Sequence, residues 1–242
     1  MNEFQKTSIE SDKIYHHRYD RFYPIYLNKF HDKQIHLLEI GIQGGESMSL
    51  WKKDVPNATI HGLDIDEKPS IDETIMYKVD QCNVSQLTEW ATDKESLFSV
   101  IIDDGSHVPE HQILTIETIW PTLRPGGIYI IEDIETSWWK KGHIYNYSFD
   151  ARRKNLMHYT RYLSQIINRE FSGKLSQIDW MHEVDMFSIC HNCMVFQKCT
   201  DDSVQLLNRE YGRKNRINEN IWWRVILRNL KHLVRSSSPV RL

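Results

Sequence analysis

Residues 35–45 read Ile-His-Leu-Leu-Glu-Ile-Gly-Ile-Gln-Gly-Gly and run directly into Glu46-Ser-Met-Ser-Leu-Trp-Lys-Lys53. The short Ile/Leu-rich run bounded by glycine, Ile35 to Ile40, predicts a buried strand, and Glu46 to Lys53 opens a helix. A tight glycine turn between them puts backbone amides at the carboxyl edge of a sheet, where open α/β folds bind ligands. Working outward, Thr59 to Asp64, Met76 to Val79 and Phe98 to Asp103 read as three more strands. His111 to Leu123 has helical spacing, Pro125-Gly126-Gly127 is the expected stop, and Ile128 to Ile131 is a fifth strand. Gln177 to Val184 and Met186 to Lys198, with almost no linker, predict an antiparallel hairpin at the sheet edge. The alternation predicts an α/β, doubly wound, Rossmann-like sheet, mostly parallel, without internal repeats.

At 242 residues the chain is expected to form one sheet domain with flanking parts. Residues 1–35 form a helical lid or cap, 36–200 the sheet domain, and 201–242 a linker, a basic amphipathic helix and a tail. In that helix the apolar stripe of Ile221 to Val234 faces away from Arg224, Arg228, Lys231 and Arg235. It suits docking on the domain, pairing into a homo-oligomer, or contact with an anionic membrane surface. A formal charge of -3, with both signs interleaved, gives no electrostatic reason to expect a nucleic-acid partner. Cys190 and Cys193 have no second ligand pair nearby, so with Cys82 and Cys199 they read as reduced thiols rather than a zinc site. The polar start from Met1 to Lys13 and the lack of a long apolar run predict a cytoplasmic protein.

The chemistry gathers at strand ends. Gly41, Gly44 and Gly45 depart from dinucleotide-binding spacing, and Glu39 ahead of them repels a pyrophosphate while tolerating the cationic sulfonium and amino group of S-adenosylmethionine (SAM). Asp64 ends the second strand where ribose hydroxyls would be held, and Asp80 and Gln81 end the third near an adenine edge. Asp103-Asp104-Gly105-Ser106-His107 and Glu132-Asp133 bring four carboxylates and an imidazole together. Such crowding calls for a compensating cation, and oxygen donors suit Mg²⁺, with Mn²⁺ or Ca²⁺ meeting the same chemistry. His107 suits a general base. Singly, each of these residues has a plain reading: glycines for strand-helix packing, acids as loop residues or caps, a surface histidine.

Together they resemble the metal-dependent sugar O-methyltransferases of macrolide biosynthesis. The resemblance rests on Ser11-Asp-Lys13 with His17 and Tyr19, Leu38-Glu-Ile-Gly41, Trp51, Gly62-Leu-Asp-Ile65, Ile102-Asp-Asp-Gly-Ser-His107, Pro125-Gly-Gly127 and Ile131-Glu-Asp133, spanning about residues 11 to 200. It implies a class I methyltransferase fold, SAM contacts at Glu39, Gly41, Asp64 and Asp103, Mg²⁺ ligands at Asp104, Glu132 and Asp133, and His107 as base. It also implies a carbohydrate acceptor, glycan or glycosylated natural product, chelated through a vicinal diol. Lys13, His17 and Tyr19 would then meet the acceptor or merely cover the sheet, and Trp138 and Trp139 would stack on a sugar ring or fill the core. The macrolide enzymes can carry an additional N-terminal domain that these residues do not contain, which leaves acceptor and oligomeric state open. Rival readings are a catechol-type O-methyltransferase, which usually employs a lysine base, a cephalosporin-hydroxylase-like enzyme, and a SAM-binding partner without catalysis.

Overall fold

A computed structural model describes residues 11–71, 73–139, 156–168 and 178–200, all within one compact unit. The stretch from Ile221 to Val234 and Gln177 lie outside the described residues.

The sheet has seven strands: β1 (Ile35–Ile40), β2 (Ala58–Asp64), β3 (Ile75–Lys78), β4 (Phe98–Asp103), β5 (Leu123–Glu132), β6 (Val184–Cys190) and β7 (Cys193–Lys198). Their order is β3-β2-β1-β4-β5-β7-β6. The first five strands pair in parallel, and β7 inserts antiparallel between β5 and β6. Helices α1 (Asp12–Tyr15) and α2 (Tyr23–Leu27) precede the sheet, and α3 (Glu46–Asp54), α4 (Val84–Ala91), α5 (Pro109–Ile119) and α6 (Leu156–Ile167) follow in turn.

Alternating side chains of the strands supply two cores. In β1, Leu38 and Ile40 join one cluster with Leu87, Trp90, Ile116 and Leu163 from α4, α5 and α6. Ile35 and Leu37 join the other, with Tyr19, Tyr23, Leu27 and Trp51 from the N-terminal segment and α3. This double burial is why the parallel strands are apolar throughout. It also explains the N-terminal segment, whose aromatic residues pack the same core that α3 covers.

Three details differ from the sequence expectation. The helix after β4 ends at Ile119, because Pro121 tightens the chain into a 3-10 turn, Trp120–Thr122. Pro125-Gly126-Gly127 then lies inside β5, where the pairing with β4 shifts register and Gly126 takes φ +73. The edge hairpin is present, but its turn falls at His191-Asn192; Asp179–Glu183, expected as a strand, is a 3-10 turn. Asn192 tolerates the left-handed backbone there, φ 57. The turn puts Cys190 opposite Cys193 across the hairpin, and all four cysteines are free thiols. Away from the carboxyl edge, His36 Nδ1 lies 2.9 Å from His61 Nε2, and His61 Nδ1 lies 3.2 Å from the Tyr77 hydroxyl. No helix among the described residues is long and apolar enough to cross a membrane.

Candidate active site

Strand order reverses between β1 and β4, and a crevice opens at the carboxyl ends of such a pair. There a cavity of about 530 Å³ is lined by residues of the loops after β1, β2, β3, β4 and β5 and by Ser11, Asp12 and Lys13 at the start of α1. The loops interlock closely. Gly41 takes φ +84, and a Cβ there would overlap the backbone carbonyl of Asp104, so only glycine lets the loop after β1 lie on the loop after β4.

Lys13, Gly41, Asp64, Asp80, Gln81, Asp104, His107 and Asp133 line this cavity. Asp64 accepts from the amides of Ile42 (2.8 Å), Gln43 (3.3 Å) and Asp66 (2.9 Å), so it shapes the glycine loop as well as facing the cavity. Gln81 directs its amide inward, donating to Asp103 (2.6 Å) and accepting from Ser106 N (2.9 Å). Glu39, Gly44, Gly45, Asp103 and Glu132 are not among the lining residues. Glu39 is fully buried and accepts from Ser47 Oγ (2.7 Å) and Trp51 Nε1 (2.6 Å), tying β1 to α3. Asp103 is equally buried, and burial pushes its carboxyl up to about 7 against the Gln81 hydrogen bond. Trp138 and Trp139 end a 3-10 turn after β5 and do not reach the cavity; Trp138 is largely exposed.

The acids find part of their counter-charge inside the chain. Lys13 Nζ lies 2.6 Å from Asp104 Oδ2, 2.8 and 2.9 Å from the two Glu132 oxygens, and 3.2 Å from Glu39 Oε1. Burial alone would lower the lysine, but Asp104, Glu132 and Glu39 raise it well above its ordinary value, so it stays an ammonium. Glu132 also accepts from the Tyr23 hydroxyl, and burial, opposed by Lys13, pushes it up to about 7. The crowding of carboxylates in sequence therefore calls for an external cation less strongly than composition suggests, because a lysine 91 positions from Asp104 folds back onto it.

One ammonium does not balance the whole set. Asp104, His107 and Asp133 offer ligand atoms that all lie within 4.8 Å of one another. Their side chains are 21 %, 24 % and 14 % exposed, open to the cavity, whereas Glu132 is 1 % exposed. Two carboxylates and one imidazole without a thiolate fit a hard divalent ion better than a soft one. His107 Nε2 lies 3.6 Å from Asp133 Oδ2, and both residues take the left-handed backbone, φ 56 and 52. Backbone of that kind collects at sites held by their surroundings. Tyr19 donates to Asp133 Oδ1 (2.8 Å), and His17 Nδ1, its ring stacked on Tyr19, lies 3.3 Å from the same oxygen.

No protein-family model matches the chain. Among curated proteins it is 33% identical over 138 residues to 8-demethyl-8-alpha-L-rhamnosyl tetracenomycin-C 2'-O-methyltransferase of Streptomyces olivaceus, covering 53% of this chain and 36% of that one. It is 35% identical over 132 residues to demethylmacrocin O-methyltransferase of Streptomyces fradiae, covering 51% and 33%. The chain thus spans about a third of the length of these relatives. Among solved structures it matches the MycE methyltransferase from the mycinamycin biosynthetic pathway, in complex with Mg, SAH and mycinamycin VI. That match has a TM-score of 0.67 and 25% identity over 78% of this chain and 50% of the other.

The fold is that of the class I methyltransferases.

Four further residues belong to the site of this methyltransferase fold: Ser11 stands in the motif quoted for the resemblance, while His111, Tyr23 and Asn192 are not among the candidate site residues read from sequence. Ser11 Oγ is buried at the cavity wall without a hydrogen-bond partner among the described residues. His111, in the first turn of α5, lines the cavity with Nδ1 2.9 Å from Ser106 Oγ. Tyr23 and Asn192 reach Glu132 and Asp133 from far along the chain, and no local pattern announces them.

Proposed function

We propose that this chain carries an O-methyltransferase that uses SAM and a divalent cation, Mg²⁺ by donor chemistry, to methylate a sugar hydroxyl of a glycoside. The observation that carries the reading is the Asp104, His107, Asp133 cluster on the wall of the same cavity that Gly41 and Asp64 line. The names of the relatives, O-methyltransferases of a rhamnosyl tetracenomycin and of demethylmacrocin, and the Mg and SAH bound in the MycE structure support it.

Asp64 keeps a lone pair for a ribose hydroxyl beyond the three amides it already accepts, and exposed Ile65 offers an apolar face at the cavity for a base. Asp104 and Asp133 would hold the ion, while Lys13 offsets the charge of the acids beneath them. A bound ion would acidify a coordinated hydroxyl and offset charge as it develops, and SAM would supply an electrophilic methyl group. His107 takes the proton from the acceptor hydroxyl as that oxygen bonds to the methyl carbon and the carbon–sulfur electron pair returns to sulfur. Asp133, beside Nε2, stabilises the imidazolium that results. A second, neighbouring hydroxyl would give such an ion a two-point hold on the acceptor and so orient the reacting oxygen.

His17 lies on the far oxygen of Asp133 and outside the ligand cluster, which disfavours a two-histidine, one-carboxylate iron site of the hydroxylase type. The test is methyl transfer to rhamnose-type glycosides, read by product mass, with Mg²⁺ and with chelator. Chelator-sensitive methylation that drops when the neighbouring hydroxyl is removed supports the reading; equal rates on the deoxygenated glycoside contradict the two-point chelation.

A further inference from the structure

The turn of the β6–β7 hairpin reaches the metal-side carboxylate from a part of the chain that sequence gives no reason to connect with it. Asn192 sits at that turn with φ 57. Its carbonyl accepts from the Tyr19 hydroxyl (3.1 Å) and from Ile134 N (3.3 Å), and its Oδ1 accepts from Glu135 N (2.9 Å). Its Nδ2 donates to Asp133 Oδ1 at 2.8 Å. An amide turned the other way would set oxygen against a carboxylate and nitrogen against an N–H, so this orientation is the one the partners dictate.

Asp133 has no ordinary backbone geometry to aim it. It follows the last residue of β5, takes the left-handed region and opens a 3-10 turn. What fixes the carboxylate is therefore its hydrogen bonding, and that is one-sided. Oδ1 takes both Asn192 Nδ2 and the Tyr19 hydroxyl at 2.8 Å, which turns Oδ2 toward His107 at 3.6 Å.

We propose that Asn192 is a positioning residue whose side-chain amide locks Asp133 Oδ1, so that Oδ2 is presented to a divalent cation shared with Asp104. The inference rests on the metal reading given above. Partners of this kind, which orient a ligand without touching the ion, typically change metal affinity about 10–100-fold when removed.

Asn192→Gly isolates the side chain, since glycine keeps the left-handed turn and both carbonyl contacts. Asn192→Asp keeps the acceptor for Glu135 N but sets a second negative charge against Asp133. With the full chain, Mn²⁺ binding is followed by loss of the free-ion electron paramagnetic resonance signal, alongside SAM affinity by calorimetry and the thermal midpoint. Asn192→Gly is expected to weaken Mn²⁺ about 10–100-fold with SAM affinity and midpoint unchanged, and Asn192→Asp is expected not to restore it. Wild-type Mn²⁺ affinity in Asn192→Gly overturns the inference and leaves the metal reading intact. Loss of SAM affinity and of thermal midpoint together with Mn²⁺ also overturns it, since that is a general structural role. A wild-type chain that binds no Mn²⁺ overturns the metal reading and the inference with it.

Discussion

His107 and Lys13 show how differently two polar side chains can serve one site. His107 is partly open to the cavity, with Nε2 facing Asp133; its removal subtracts a proton acceptor and little packing. His107→Ala is expected to lower methyl transfer about 10²–10⁴-fold while leaving SAM affinity, measured by calorimetry, unchanged; near-wild-type turnover would exclude it as the base. Lys13 is buried among Glu39, Asp104 and Glu132, and removing it strands like charges away from water. Lys13→Met is expected to destabilise the fold by about 3–5 kcal/mol, read as a lowered urea midpoint in metal-free buffer, and an unchanged midpoint would mean that the acids are already neutral. The acids at the strand ends are legible in sequence because each closes an apolar run. Lys13 is not, because its role depends on a contact over 91 positions, and neither the charge pattern nor the helical spacing near it points to a partner.

At the scale of elements, the strand-turn-helix from Ile35 to Asp54 carries the fold, and it is also the best-read part of the sequence. The bounds of β1 and β4 agree with the Ile/Leu/Val runs that announce them. Where expectation and structure part, the cause is a local device that periodicity does not see: Pro121 shortening α5, the register shift within β5, and Asn192 making a turn inside an apolar run. Helices α4 and α6, which the sequence reading does not name, carry clear apolar stripes that lie against the sheet face they cover, and Asn83 caps the first of them. The glycines divide by the same physics. Gly41 faces the Asp104 carbonyl at φ +84, whereas a Cβ on Gly44 would meet only the flexible end of Glu46. Gly41→Ala is expected to cost at least about 1–2 kcal/mol from its backbone region alone and to abolish SAM binding, while Gly44→Ala leaves both close to wild type. Denaturant titration of the two variants, with calorimetry, separates them, and equal tolerance would contradict the interlocking of the two loops.

For the molecule as a whole, the two faces of the sheet hold separate cores, and among the described residues a pair of imidazoles lies away from the carboxyl edge with one ring buried. That pair is His36 and His61. Burial first, then the proximity of His36 and Lys94, lowers His61 to about 4. Its unfolded value is near 6.5, so between those values the unfolded chain binds a proton that the folded chain refuses. The contribution of His61 is therefore full above pH 6.5 and falls as pH drops toward 4, while Asp103 and Glu132, raised to about 7, act in the opposite sense over the same window. His61→Phe, which keeps the ring against Tyr77 and Phe98, is expected to remove the His61 contribution and so shift the pH slope of urea midpoints taken across the window relative to wild type. An unchanged slope would assign acid sensitivity to other groups. Above these details stands the claim that the cavity between β1 and β4 is a SAM site beside a divalent-cation site. Calorimetric titration of the purified chain with SAM, in Mg²⁺ and in chelator, tests it most directly. Saturable binding at one site per chain, lost in Asp64→Ala, is the expected result. No binding of SAM under either condition would contradict the claim.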